Sequence, residues 1–242
     1  MSTFTRMLTM AILLVLPLPS RLAQAALDPS GHWEGAIQVS GMEVRVEIDL
    51  AKNGKGELAG TFGQPAEHLT GLPLANLVVD GRSVSFQIKG GAPGERAFKG
   101  TLSADGTSMS GDFASHQVGT AAFTLTRTGD PRIEAPPRIA AISRELEGTW
   151  NGTLDANGMP IRLILTMVNQ PDGTVIGSVV NVDEGLELPV TNITQKASGL
   201  TLEVKAVGGS YSGALNPEGT ELVGTLTQGP AAMPLTFRLA RP

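Results

Sequence analysis

From Met42 the chain reads Met-Glu-Val-Arg-Val-Glu-Ile-Asp-Leu, so Met42, Val44, Val46, Ile48 and Leu50 alternate with Glu43, Arg45, Glu47 and Asp49. A period of two puts alternate side chains on opposite faces of an extended strand, here one dry and one wet. Val84-Ser85-Phe86-Gln87-Ile88 and Leu200-Thr201-Leu202-Glu203-Val204 obey the same rule. About eight such stretches recur in each of two long segments, at a spacing of roughly 8 to 12 residues. Asp80-Gly81, Asp105-Gly106, Asp172-Gly173 and Glu218-Gly219 supply turns between them. Short antiparallel strands joined in sequence, each with a single apolar face, must curl around a core. Closing them into an up-and-down barrel removes the exposed edges.

The two segments share one pattern. Gly31-His32-Trp33-Glu34-Gly35 opens the first and Gly148-Thr149-Trp150-Asn151-Gly152 the second. Gly41-Met42 answers to Gly158-Met159, Leu72-Pro73-Leu74 to Leu188-Pro189-Val190, and Phe98-Lys99-Gly100 to Tyr211-Ser212-Gly213. The strand glycines Gly35, Gly60, Gly100 and Gly111 match Gly152, Gly177, Gly213 and Gly224. They lie on the inward phase, where a missing side chain permits sharp coiling or close backbone approach. The fold class predicted is all-β: two tandem up-and-down antiparallel barrels over residues 28–128 and 148–242, with about eight strands each. Between them, residues 129–147 form a linker marked by Asp130-Pro131 and Pro136-Pro137. Pro137 is placed to open a short helix through Ile139, Ala140, Ala141, Ile142 and Leu146.

With Gly-x-Trp-x-Gly near the start and an arginine ending the last strand, each segment resembles the lipocalin-like barrels of the calycin group. A closer likeness is to the Gly-x-Trp-x-Gly barrel module found ahead of the catalytic domain in some exported bacterial α/β-hydrolases and serine hydrolases. Gly71-Leu72-Pro73-Leu74 and Gly224-Thr225-Leu226-Thr227-Gln228-Gly229 belong to that likeness, which covers nearly all of residues 28–242. The first segment departs from it at Ala114-Ser115-His116-Gln117, where the Gln-Gly-Pro turn of the second is absent. The resemblance implies that Arg127 covers the Trp33 ring and Arg241 the Trp150 ring, each pair closing one barrel end by a cation–π contact of roughly 0.5–2 kcal/mol. No hydrolase domain is expected beside the two modules.

Ahead of the barrels, Arg6 precedes the apolar run Met7–Leu16, prolines break that run, and Ala23-Gln24-Ala25 follows. This reads as a secretory signal cleaved after Ala25. The run is shorter than the roughly 20 residues a spanning helix needs, so no transmembrane segment is expected after cleavage, and the product would be periplasmic or secreted. The chain has 18 Lys+Arg against 23 Asp+Glu. Cleavage removes Arg6 and Arg21, leaving an acidic protein that phosphate backbones repel, which argues against nucleic acid as a partner. The absence of cysteine excludes a disulfide scaffold, a thiolate metal site and a cysteine nucleophile.

Catalytic patterns are missing as well. No Gly-x-Ser-x-Gly elbow occurs, and the glycines around Ser210 and Ser212 have the wrong spacing. His32, His68 and His116 share no ligand spacing and have no counterpart in the second segment, so they read as surface residues. No catalytic residue, metal ligand or cofactor is assigned. Interior filling falls to Val46, Ile48, Phe86, Phe98, Phe113 and Phe123 in the first barrel. In the second it falls to Leu163, Leu165, Leu202, Tyr211, Leu226 and Phe237. An eight-stranded barrel is either filled by such side chains or just wide enough for one small ligand. Two functions remain open: a non-enzymatic binding or accessory protein acting on a protein or envelope partner, and a carrier of small apolar ligands such as lipids or fatty acids. In the second case Val46, Ile48, Phe86, Phe98, Phe113, Leu163, Leu165, Leu202 and Tyr211 would line the ligand. The Tyr211 hydroxyl would need a partner.

Overall fold

The alternating stretches form strands throughout a computed structural model that describes residues 27–90, 94–135, 137–156 and 158–240. The signal segment and Arg241 lie outside the described residues. In the first half, β1 (Gly31–Val39), β2 (Met42–Lys52), β3 (Leu58–Gln64), β4 (Leu69–Asp80), β5 (Ser83–Ile88), β6 (Ala97–Leu102), β7 (Ser108–Ser115) and β8 (Gly119–Gly129) follow one another around a closed antiparallel barrel. β8 returns to β1 with Ile37 opposite Phe123 and Gly35 opposite Leu125. The dry phase of each strand, Val46, Ile48 and Leu50 in β2 for example, is buried inside.

In the second half a curled nine-stranded sheet comprises β9 (Gly148–Ala156), β10 (Met159–Asn169), β11 (Val175–Asn181), β12 (Leu186–Pro189), β13 (Asn192–Lys196), β14 (Gly199–Val204), β15 (Gly209–Leu215), β16 (Glu221–Gln228) and β17 (Ala231–Leu239). Its two ends, β12 and β13, are consecutive in the chain. Together they take the part that β4 plays alone. β4 pairs with β3 up to Pro73 and with β5 from Leu74 onward. β12 pairs with β11 up to Pro189, and β13 pairs with β14 from Asn192. Proline donates no N–H to a ladder, so a strand can change partners there at little cost. Val190 N–H then donates to Gly177 O at 2.9 Å and Thr191 N–H to Glu203 O at 2.7 Å, so the second cylinder is joined across this gap by the chain itself. This accounts for the ninth strand.

Two glycine pairs let the walls bend inward. Gly100 faces Gly111 and Gly213 faces Gly224. A Cβ on Gly111 would collide with the Lys99 carbonyl oxygen, and one on Gly224 with that of Ser212.

The linker contains no helix among its described residues. Ala140 bridges to Thr174, Val175 N–H donates to Ile139 O, and Ala141 N–H donates to Gly173 O, both at 2.9 Å. A helix of two turns would be marginal by itself, whereas pairing with the turn before β11 satisfies the same backbone groups at once. Ile139, Ile142 and Leu146 are thereby buried against Trp150 at the base of the second core.

The halves touch through a few named contacts. Leu186 and Ala206 of the second half belong to the first barrel's core, and β4 packs on β12 and on the short 3-10 turn Lys205–Val207. Lys89 Nζ lies 2.9 Å from the Glu187 carboxylate. A Cβ on Gly90 would fall 2.7 Å from both Glu187 N and Gly185 O, so only glycine fits this junction.

Candidate functional site: a chamber between the two halves

The base of each half is stoppered by an indole. Trp33 and Trp150 are fully buried, and their indole N–H groups donate to Pro29 O (2.9 Å) and Leu146 O (3.1 Å), each four residues upstream. The Arg127 guanidinium carbon stands 4.8 Å from the Trp33 ring centroid, and one of its N–H groups donates to Asp28 O at 2.7 Å. The Asp28 side chain itself bonds Lys52 and Ser30, which hold its carboxyl down to about 2. Trp150 is different. The residue paired with it on β17 is Leu239, where β8 offers Arg127 to Trp33. Arg241 lies two positions further on, outside the described residues.

At the opposite ends the two interiors open onto a shared chamber of about 650 Å³. Ile37, Val44, Phe62, Leu72 and Phe113 line it from the first half, and Leu154, Ile161, Val179, Leu188 and Leu226 from the second. These are matching residues by ladder register, since Ile37 faces Val44 as Leu154 faces Ile161. Below this level the halves diverge. In the second half a further ring, Leu163, Leu202, Tyr211, Leu235 and Phe237, also lines the chamber. The register-matched ring of the first half is Val46, Phe86, Phe98, Phe123 and Leu125, and none of these reaches it.

The reason is aromatic filling. Phe98 has Phe86, Phe113, Phe123 and Phe62 around it at centroid distances of 4.9, 4.7, 5.2 and 6.1 Å. Four of those five positions are aliphatic in the second half (Val179, Leu202, Leu226, Leu235), and Tyr211 keeps one ring neighbour, Phe237, at 5.3 Å. Smaller side chains on a cylinder of similar build leave a void.

Of the nine interior residues singled out from the sequence, Phe113, Leu163, Leu202 and Tyr211 line the chamber. Val46, Ile48, Phe86, Phe98 and Leu165 do not, because they lie below the level at which packing closes. Tyr211 is buried, and its hydroxyl donates to Leu222 O at 2.9 Å, with Leu235 O at 3.4 Å. Desolvation pushes its phenol up to about 12.

Polar groups gather at the seam, where Gln64, Arg96, Gln117, Asn181 and Gln228 meet the chamber. Arg96 is half-buried and donates across the seam to Glu184 O at 2.7 Å. The composite character of the site, with walls from both halves, has no signal in either segment read alone.

Among the described residues no histidine lines the chamber. His68 and His116 are exposed. His32 is the exception to a surface assignment: it is fully buried, with Nδ1 2.8 Å from Asp49 and Nε2 3.1 Å from Glu34. It does point outward from the barrel, but the start of the linker folds over it. The Arg132 N–H donates to the same Asp49 oxygen, and the Thr128 hydroxyl to the same Glu34 oxygen. Among the described residues no three His, Asp or Glu side chains converge to hold a metal ion, and no helix is long and apolar enough to cross a membrane.

No family model and no curated protein matches the chain. Among solved structures it is similar to a Bacteroides fragilis protein provisionally described as an outer membrane protein. Identity is 12%, coverage is 88% of this chain and 97% of that one, and the TM-score is 0.27. A Nostoc punctiforme protein of unknown function from the DUF3598 family is similar at 11% identity, with 87% and 96% covered and a TM-score of 0.25. Superpositions this loose bear on neither mechanism nor ligand.

Proposed function

We propose that this β-barrel protein binds a small apolar ligand in the chamber its two halves share. The observation that carries the reading is the chamber itself: about 650 Å³, walled by aliphatic and aromatic side chains, with its polar side chains gathered at the seam apart from the Tyr211 hydroxyl. Ligand pockets run from about 300 to 1,000 Å³ and are lined in this way, with a few placed polar groups. A void of that size with no occupant forfeits the dispersion contacts of its lining, so a bound apolar molecule would stabilise the fold. Signal cleavage after Ala25 would put this carrier in the periplasm or outside the cell, and no step of the reading calls for catalysis.

Titrating the full chain with an environment-sensitive apolar dye, alongside native mass spectrometry, tests it. One dye per chain, displaced by a long-chain alcohol and accompanied by a rise in melting temperature, is the expected result. No saturable binding and no thermal shift would overturn it.

A second reading, action on a protein or envelope partner, draws on Val168 and Ile176, which face each other across β10 and β11 and are 45% and 61% exposed. Replacing both with lysine leaves the chamber untouched. A loss of cellular function in that variant with dye binding retained would favour the partner.

A further inference from the structure

We infer that the ligand is a single-chain anionic amphiphile, with its hydrocarbon tail in the second half and its head at the seam beside Arg96. The inference rests on the chamber being a ligand site and adds which half holds the tail and what the head must be.

The tail's place follows from depth. The chamber descends past Leu163, Leu202 and Leu235 in the second half, whereas the phenylalanine cluster around Phe98 stops it in the first. The chain therefore has one solid half and one hollow half. Among the described residues at the deep end the one side-chain polar atom is the Tyr211 hydroxyl, and its single proton is committed to Leu222 O. A ligand oxygen that needs a donor, such as a carboxylate or carbonyl, would be buried there unsatisfied, at a cost of roughly 1–3 kcal/mol. The head is therefore kept out of the deep end, whose apolar lining suits hydrocarbon.

The head's place follows from where the polar lining lies, and its charge follows from Arg96. Among the described lining residues Arg96 is the only cation. It spends one guanidinium N–H on Glu184 O, and a guanidinium carries five, so donors remain for an anion. Glu67 and Glu184 share the rim, but both are exposed, so water screens their carboxylates, whereas Arg96 is half-buried.

Calorimetric titration of the full chain with dodecanoate, dodecanol and dodecyltrimethylammonium separates tail from head. Dodecanoate should bind at least about tenfold more tightly than dodecanol, the size expected of a hydrogen bond to a charged group, and the ammonium more weakly than either. Arg96→Gln should remove about tenfold from dodecanoate and leave dodecanol unchanged, which also shows that the variant is folded. Leu202→Phe with Leu226→Phe, which restores the aromatic filling of the first half, should abolish binding of all three while the melting temperature holds. Equal affinity for acid and alcohol, or an Arg96→Gln loss shared by both, overturns the head assignment. Undiminished binding to the double phenylalanine variant overturns the tail assignment. If none of the three binds the native chain while the apolar dye does, the amphiphile fails and the chamber stands. If the dye fails too, both fall.

Discussion

Phe98→Ala probes the solid half directly. Phe98 is fully buried, and four phenylalanine rings stand between 4.7 and 6.1 Å from its centroid. Removing a buried phenylalanine down to Cβ costs about 3–5 kcal/mol through lost transfer energy and the cavity left behind. The neighbours here are held by closed ladders on both sides and collapse poorly, so the upper part of that range applies. For a chain of this size each kcal/mol lowers the melting temperature by about 2–4 °C, so a penalty of about 4–5 kcal/mol gives a fall of about 8–20 °C. Differential scanning calorimetry with a parallel urea titration reads both temperature and free energy, and an unchanged denaturant slope would show that the loss is one of native packing. A drop of less than about 2 °C would mean that the five rings do not form the supporting core of the first half, and the contrast between solid and hollow halves would lose its basis.

Other expectations are narrower. Gly111→Ala puts a methyl into the Lys99 carbonyl oxygen and 2.7 Å from Gly100 Cα, and should cost at least about 1–3 kcal/mol. Gly54→Ala meets nothing within 4 Å and should be neutral or stabilising by up to about 1 kcal/mol in the same urea assay. Arg127→Leu, which puts leucine opposite Trp33 as Leu239 is opposite Trp150, removes both the cation–π contact, about 0.5–2 kcal/mol, and the hydrogen bond to Asp28 O, and should therefore cost at least about 1 kcal/mol in the same assay; no loss would show that the guanidinium does not close this end. The chain has one tyrosine, so phenolate absorbance reports Tyr211 alone. Its phenol is raised to about 12 in the fold against about 10 when unfolded, so this contribution is intact below pH of about 10 and is lost as pH climbs through about 12. A phenolate appearing near pH 10 with the fold intact would contradict its burial.

Period-two alternation made most of the architecture legible, because each strand buries one face and the side-chain pattern records which. The strand glycines were legible for the same reason: at Gly111 and Gly224 the backbone of the neighbouring strand occupies the place of a side chain. What stayed hidden is long-range. His32, read as a surface residue, is buried because the start of the linker covers it. The linker's apolar residues suggested a helix, but the partner that decides their conformation is Thr174, far along the chain. The ladder register, which neither segment displays by itself, sets Arg127 opposite Trp33 and Leu239 opposite Trp150, while Arg241 lies outside the described residues. The chamber is a product of two mouths meeting, so inspection of one segment could only leave solid and hollow interiors as alternatives. The aromatic difference between the segments was present in the residues, but it acquires meaning only once the registers align Phe86 with Leu202 and Phe113 with Leu226.

Crystals of the full chain soaked with a brominated dodecane test the shared chamber most directly, since anomalous scattering locates the bromine without assumption. The account places it among Leu202, Leu226 and Leu235, with Ile37 and Leu154 closing over the hydrocarbon from opposite sides. Bromine found only on the outer surface, or halves swung apart so that Ile37 and Leu154 face water, would contradict it.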